Sequence, residues 1–166
     1  MKKWLWFALL FTACREKFMT SPSGDVMHRT DLQAQHVPSC TDNSKCGRDE
    51  PPAGGPHCPT PLSCRIWTDA QPRCQYIHNL EHGHMVLAYN CSDGCPDIVK
   101  QLTDFYNSLP IPRRALLTPD PNLKTKVAAM VWGYTWSGDR VDTVKLQEIL
   151  NFQDDEAPEA GLGCNP

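Results

Sequence analysis

Three of the six histidines fall within seven positions, in the run His78-Asn79-Leu80-Glu81-His82-Gly83-His84. A fourth, His57, closes the turn Gly54-Gly55-Pro56-His57. Imidazole nitrogens and a carboxylate are ligands for zinc or copper. On a helical turn His78 and His82, four apart, share a face. On a strand it is His82 and His84, two apart, that share one. Both cannot hold for all three, and the break at Gly83 favours a turn ending there. The expected metal set is therefore His57, His78 and His82, with Glu81 as a further ligand or as the group that orients them. The same side chains have a second use. In a loop-rich domain they can hydrogen-bond backbone carbonyls that no ladder satisfies, as a polar lock on the irregular segment. His84 beside Met85 would suit copper, but neighbours on a strand point to opposite faces, so one exposed and one core group is expected. His28 and His36 lie in a polar tether and carry no signal.

Read as a pattern, His78-x-x-Glu81-His82 has the H-x-x-E-H form of a family of zinc proteases. Those enzymes carry it on a long helix, whereas here Pro72 lies upstream and Gly83 cuts the helix short. A metal-dependent hydrolase, with Glu81 as base on a metal-bound water, ranks behind metal binding and the polar lock. The chain has no G-x-S-x-G, P-loop, dinucleotide fingerprint or C-x-x-C pair. Cys58 next to His57 is a poor nucleophile–base pair, because adjacent side chains seldom face each other. The reading leans away from an enzyme.

The nine cysteines set the compartment. Lys2 and Lys3, the apolar stretch from Trp4 to Phe11, and Thr12-Ala13-Cys14 read as a signal peptide over residues 1–13. Phe11-Thr12-Ala13-Cys14 resembles a bacterial lipobox, which implies lipidation of Cys14 and a membrane anchor; Arg15 after it suggests the outer membrane. The other eight, Cys40, Cys46, Cys58, Cys64, Cys74, Cys91, Cys95 and Cys164, form an even set in an exported chain and read as disulfides. Short loops suggest Cys40–Cys46, Cys64–Cys74 and Cys91–Cys95, leaving Cys58–Cys164. The absence of any C-x2-C knuckle argues against a zinc ribbon.

These side chains need a scaffold, and 166 residues at 40% hydrophobic supply one ordinary domain. A net charge of −3 with no basic run excludes a nucleic-acid binder, and the only sustained apolar run is too short to span a bilayer. Residues 14–47 are polar and aperiodic, a tether behind the lipidated cysteine. Residues 51–72 hold six prolines and must be irregular. Met85, Leu87 and Tyr89 mark a strand, and Ile98, Val99, Leu102, Phe105 and Tyr106 recur at helical spacing after Pro96. Residues 113–118 read as a short strand and 127–136 as one central strand. Asp142 caps a last helix with Leu146, Ile149 and Leu150, stapled by Val141. The order, irregular-β-α-β-β-α, predicts an α+β (or α/β) domain over residues 48–160: a small sheet of three or more strands with helices packed on it. Asp154-Asp155-Glu156 reads as a solvated end, and 161–166 as a tail.

Pro51-Pro52-Ala53-Gly54-Gly55-Pro56-His57, Ile77-His78-Asn79-Leu80-Glu81-His82-Gly83 and Ala129-Met130-Val131-Trp132-Gly133, ending near Ala157-Pro158-Glu159, resemble the family catalogued as domain of unknown function 3105. Its members are bacterial exported proteins, similar to the extracellular part of an animal membrane protein induced by the p-fifty-three tumour suppressor. The resemblance covers about residues 48–160 and implies that His57, His78, Glu81 and His82 form one site. It supplies no reaction. The extra cysteines depart from the family pattern, and Cys58 leaves open whether His57 is free to bind metal.

Overall fold

The structure is a computed structural model that describes residues 26–47 and 50–164. The expected signal peptide, Cys14 and the start of the expected tether lie outside the described residues. Seven strands and three α-helices follow in order: β1 Met27–His28, β2 Gln35–His36, β3 Pro56–His57, α1 Arg73–Glu81, β4 Met85–Tyr89, α2 Pro96–Ser108, β5 Ala115–Pro119, β6 Val127–Val131, β7 Tyr134–Gly138 and α3 Thr143–Asn151. Five strands form one sheet in the order β1-β7-β6-β4-β5, and β2 pairs with β3 in a separate parallel ladder. Only β4 and β5 run parallel within the large sheet, and α2 is the crossover that joins them. The remaining pairs, β4–β6, β6–β7 and β1–β7, are antiparallel.

The sheet is covered on both faces, so its strands read as continuous apolar runs. Met85, Leu87, Leu117, Val127, Ala129 and Val131 face α2 and α3. Alternate residues Val86, Ala88, Leu116, Ala128 and Met130 face α1, packing with Tyr76, Ile77 and Leu80. α2 starts on Pro96, with Asp97 in its first turn. At α3 the Asp142 carboxylate accepts from the Val144 and Lys145 amides at 3.0 and 3.2 Å, and Val141 packs on the same core. The expected α+β class is borne out, as are β4, α2, β5 and α3.

Several expectations are corrected. The single strand over 127–136 is two, because Gly133 takes φ +83° and turns β6 back on itself as β7. Of the short-loop disulfides only Cys91–Cys95 forms; the others are Cys40–Cys58, Cys46–Cys74 and Cys64–Cys164. Nearness in sequence misled because the irregular segments fold back beside α1 and the tail returns to the proline-rich segment. From residue 26 the polar tether belongs to the fold: Val26 is buried, β1 extends the sheet, and Cys40 and Cys46 tie down the rest.

The acidic end is not merely solvated. Asp154 pairs with Arg114, while Glu156 lies 2.7 Å from His28, whose ring stacks on Tyr134. The tail is latched as well, since the Leu162 carbonyl accepts from His84 and Arg114 and Cys164 is bonded to Cys64. Among the described residues, no helix is long and apolar enough to cross a membrane.

Candidate metal centre

α1 carries the chemistry, and burial determines its shape. Eight of its nine residues are buried, including His78, Asn79 and Glu81, so the helix is enclosed almost all round. Asn79 clamps the proline-rich segment to it: the Asn79 side chain accepts from the Leu62 amide at 2.8 Å and donates to the Leu62 carbonyl at 2.7 Å. Gly83, at φ +76°, ends the helix directly after His82. That places His78, Glu81 and His82 on one helical face, as the helical alternative requires.

His57 comes from β3, and its imidazole is fully buried against α1. Cys58 does not obstruct it, because that sulfur is turned away into the bond with Cys40. The disulfide also leaves no free thiol there for catalysis. His36 stands opposite His57 in the β2–β3 register, its ring 5.0 Å from that of His57 and 5.3 Å from that of His78. The tether histidine with no sequence signal thus joins the cluster.

The proton arrangement is set by the backbone. A carbonyl can only accept, so Nδ1 of His57 donates to Gly55 O at 2.8 Å and Nδ1 of His78 donates to Cys58 O at 2.7 Å. Both rings are oriented with Nε2 toward the centre. Nε2 of His57 lies 2.9 Å from Oε2 of Glu81, and Nε2 of His78 lies 3.7 Å from the same oxygen. Nε2 of His78 also lies 2.9 Å from Nε2 of His82, which in turn is 3.2 Å from Oε2 of Glu159. Burial holds His78 below the ordinary imidazole value, and the neighbouring His57 and His82 push it the same way, against the Cys58 hydrogen bond and Glu81. A neutral imidazole with its lone pair inward is the form that binds a metal.

Despite their 2.9 Å separation, Nε2 of His57 and Oε2 of Glu81 do not meet in hydrogen-bond geometry, and both are buried without a hydrogen-bond partner. A buried nitrogen and a buried carboxylate oxygen left this way are costly unless something else satisfies them. A cation held by both would do so.

The ligand atoms divide into two overlapping groups that could hold a metal ion: His36, His57, His78 and Glu81, and then His78, Glu81, His82 and Glu159. All four expected residues are thus gathered at one place, but His57 and His82 fall in different groups joined through His78 and Glu81. Sequence reasoning missed His36 and Glu159. His36 is recruited only by strand pairing. Glu159 arrives on a segment without regular structure, held by its own amide donating to Glu81 O at 3.0 Å.

His84 goes elsewhere. It is buried, as Met85 is, contrary to the expected exposed and core pair. It donates Nε2–H to Leu162 O at 2.8 Å and accepts at Nδ1 from Asn79 at 3.2 Å; burial chiefly pushes it down to about 4. With Cys64 and Cys164 joined, their sulfurs are not thiolate ligands, so the polar-lock reading describes His84.

A cleft of about 490 Å³ is lined by Gln35 and Pro56, the chain neighbours of His36 and His57, together with Arg29, Lys45 and Gly55. None of the cluster side chains lines it.

Fold and site together define a disulfide-bonded α+β domain with a histidine–glutamate centre beneath one helix. The chain belongs to the family described as protein of unknown function (DUF3105), whose model matches residues 39–166. No curated protein and no solved structure matched the chain.

Proposed function

We propose that this protein is an exported, lipid-anchored domain that binds divalent transition metal of the zinc or copper class at the cluster built on His57, His78, His82 and Glu81. The observation that carries the reading is the pair of buried atoms, Nε2 of His57 and Oε2 of Glu81, facing each other with no hydrogen bond between them. The backbone hydrogen bonds at Nδ1 of His57 and His78 support it, because they are the outer-shell contacts that orient metal-binding histidines. The donor set, imidazole with carboxylate, suits zinc or copper(II).

Four disulfides fit an oxidising compartment outside the cytoplasm. The lipobox-like Phe11-Thr12-Ala13-Cys14 supports an anchor at Cys14, with the outer membrane as the destination suggested by Arg15.

The test is metal content by elemental mass spectrometry on the exported, oxidised, full-length protein purified in detergent, beside a His78→Ala/His82→Ala variant. Bound zinc or copper that disappears in the variant is the expected result. No metal in either protein, after incubation with both ions, would overturn the reading and leave the cluster as a polar lock between β3 and α1.

A further inference from the structure

The centre presents more ligands than one ion can use. A zinc ion in a protein takes about four ligands, whereas six side chains converge here: His36, His57, His78, Glu81, His82 and Glu159. They form two groups, and within each group the ligand atoms all lie within 4.8 Å of one another. We propose that the cluster is a two-ion centre in which the Glu81 carboxylate bridges a pair of divalent zinc-class ions. The inference rests on the metal-binding reading above and extends it to the number of ions and to two further ligands.

The chemistry of the shared residues divides the set. An imidazole Nε2 has one lone pair and serves one ion, so His78 cannot be common to both. A carboxylate has two oxygens and can be. With metal–ligand bonds of about 2.0–2.1 Å, neighbouring ligand atoms stand about 3.3 Å apart in a tetrahedral site and roughly 2.9 Å apart in an octahedral one. The His78–His82 separation of 2.9 Å and the His82–Glu159 separation of 3.2 Å match such edges, which assigns these three residues to one ion. The His57–Glu81 separation of 2.9 Å is an edge of the other, which His36 completes from the facing strand. Glu81 lies next to both sets, 3.7 Å from His78 by the same oxygen that meets His57.

The backbone supports the same division. β2–β3 pairing brings His36 to His57, and the bond from the Glu159 amide to Glu81 O brings Glu159 to the end of α1. Each group therefore has a buried part and one exposed outer ligand, His36 in the first and Glu159 in the second.

The exposed ligands make the proposal testable without disturbing the core. Full-length, oxidised protein in detergent is loaded with zinc, freed of excess, and its zinc counted against protein, for wild type, His36→Ala and Glu159→Gln. Thermal unfolding confirms that each variant is folded. Two equivalents in the wild type, falling to about one in each variant, is the expected result. Loading with cobalt(II) should then give spin coupling through the shared carboxylate, lost in both variants. One equivalent in the wild type would overturn the two-ion centre while leaving the metal-binding reading intact. Zero would overturn both. Two equivalents that survive both substitutions would place the ions elsewhere and also overturn it.

Discussion

At the scale of single residues, the junction after α1 is the most constrained point. Gly83 sits at φ +76°, and a Cβ there would run into the Asp154 carboxylate and approach Arg114 to 2.9 Å. Gly83→Ala puts a side chain on an unfavourable backbone conformation and makes the tips of Asp154 and Arg114 move aside, and a loss of about 1–3 kcal/mol is expected in urea unfolding. Because His82 immediately precedes it, weaker metal retention should accompany the loss. Asp154 shows a different kind of dependence. Hydrogen bonds from Arg114 hold its carboxyl below the ordinary range, with the Gly161 amide acting in the same direction against burial. A depressed carboxylate stabilises the fold in full above its unfolded value, and that contribution is lost as pH falls through the folded value. The stability gap between wild type and Asp154→Asn should therefore be open at pH 7 and close on acidification below the ordinary carboxylate range. A gap of constant size down to the acid limit would show that the Arg114 pair does not titrate with folding.

At the scale of elements, α1 and the β2–β3 ladder determine the site. α1 shows little amphipathic pattern because it is enclosed, with Leu80 fully buried beside Tyr76 and Ile77 in the core between helix and sheet. Leu80→Ala leaves a cavity one residue from Glu81, and a cost of about 2–5 kcal/mol is expected. Metal affinity should fall with it, measured by competition against a chromophoric chelator. A full stability loss with unchanged affinity would mean that the clamp from Asn79 to Leu62 positions the helix without help from its packing. The β2–β3 ladder is only two residues long on each strand, so it depends on the Cys40–Cys58 bond beside it.

At the scale of the whole molecule, the cross-links span very different lengths of chain. Cys64–Cys164 closes a separation of 100 residues and Cys91–Cys95 a separation of 4. On the loop-entropy model the first contributes about 4–5 kcal/mol and the second roughly 2. Cys64→Ala/Cys164→Ala should therefore lower the urea midpoint more than Cys91→Ala/Cys95→Ala, and it should also free the Leu162 latch on His84 and Arg114. The proposed acyl anchor at Cys14 belongs to this scale too. Cys14→Ser is expected to move the protein from the membrane fraction to the soluble fraction, read by fractionation. A variant that stays with the membrane would rule out the acyl chain as the anchor.

The sequence by itself determined what local chemistry can encode. Alternation marked β4, an apolar run marked β6 and β7 together as one strand, helical spacing after Pro96 marked α2, and Asp142 marked the start of α3. The crowding of His78, Glu81 and His82 marked the site, because the break at Gly83 favours the helical turn that aligns these three. Tertiary structure decided what depends on distant partners. His36 entered the centre through a two-residue ladder and Glu159 through one backbone hydrogen bond, neither of which has a periodicity to read. Three of the four disulfides join segments brought together only by tertiary folding, two of them beside α1 and the third between the proline-rich segment and the tail, so spacing along the chain carried no information about them. His84, adjacent in sequence to the cluster, was withdrawn from it by the tail, whose carbonyl at Leu162 accepts its Nε2–H hydrogen bond. Ligand type is a property of a residue, but which residues share an ion is a property of the packed fold.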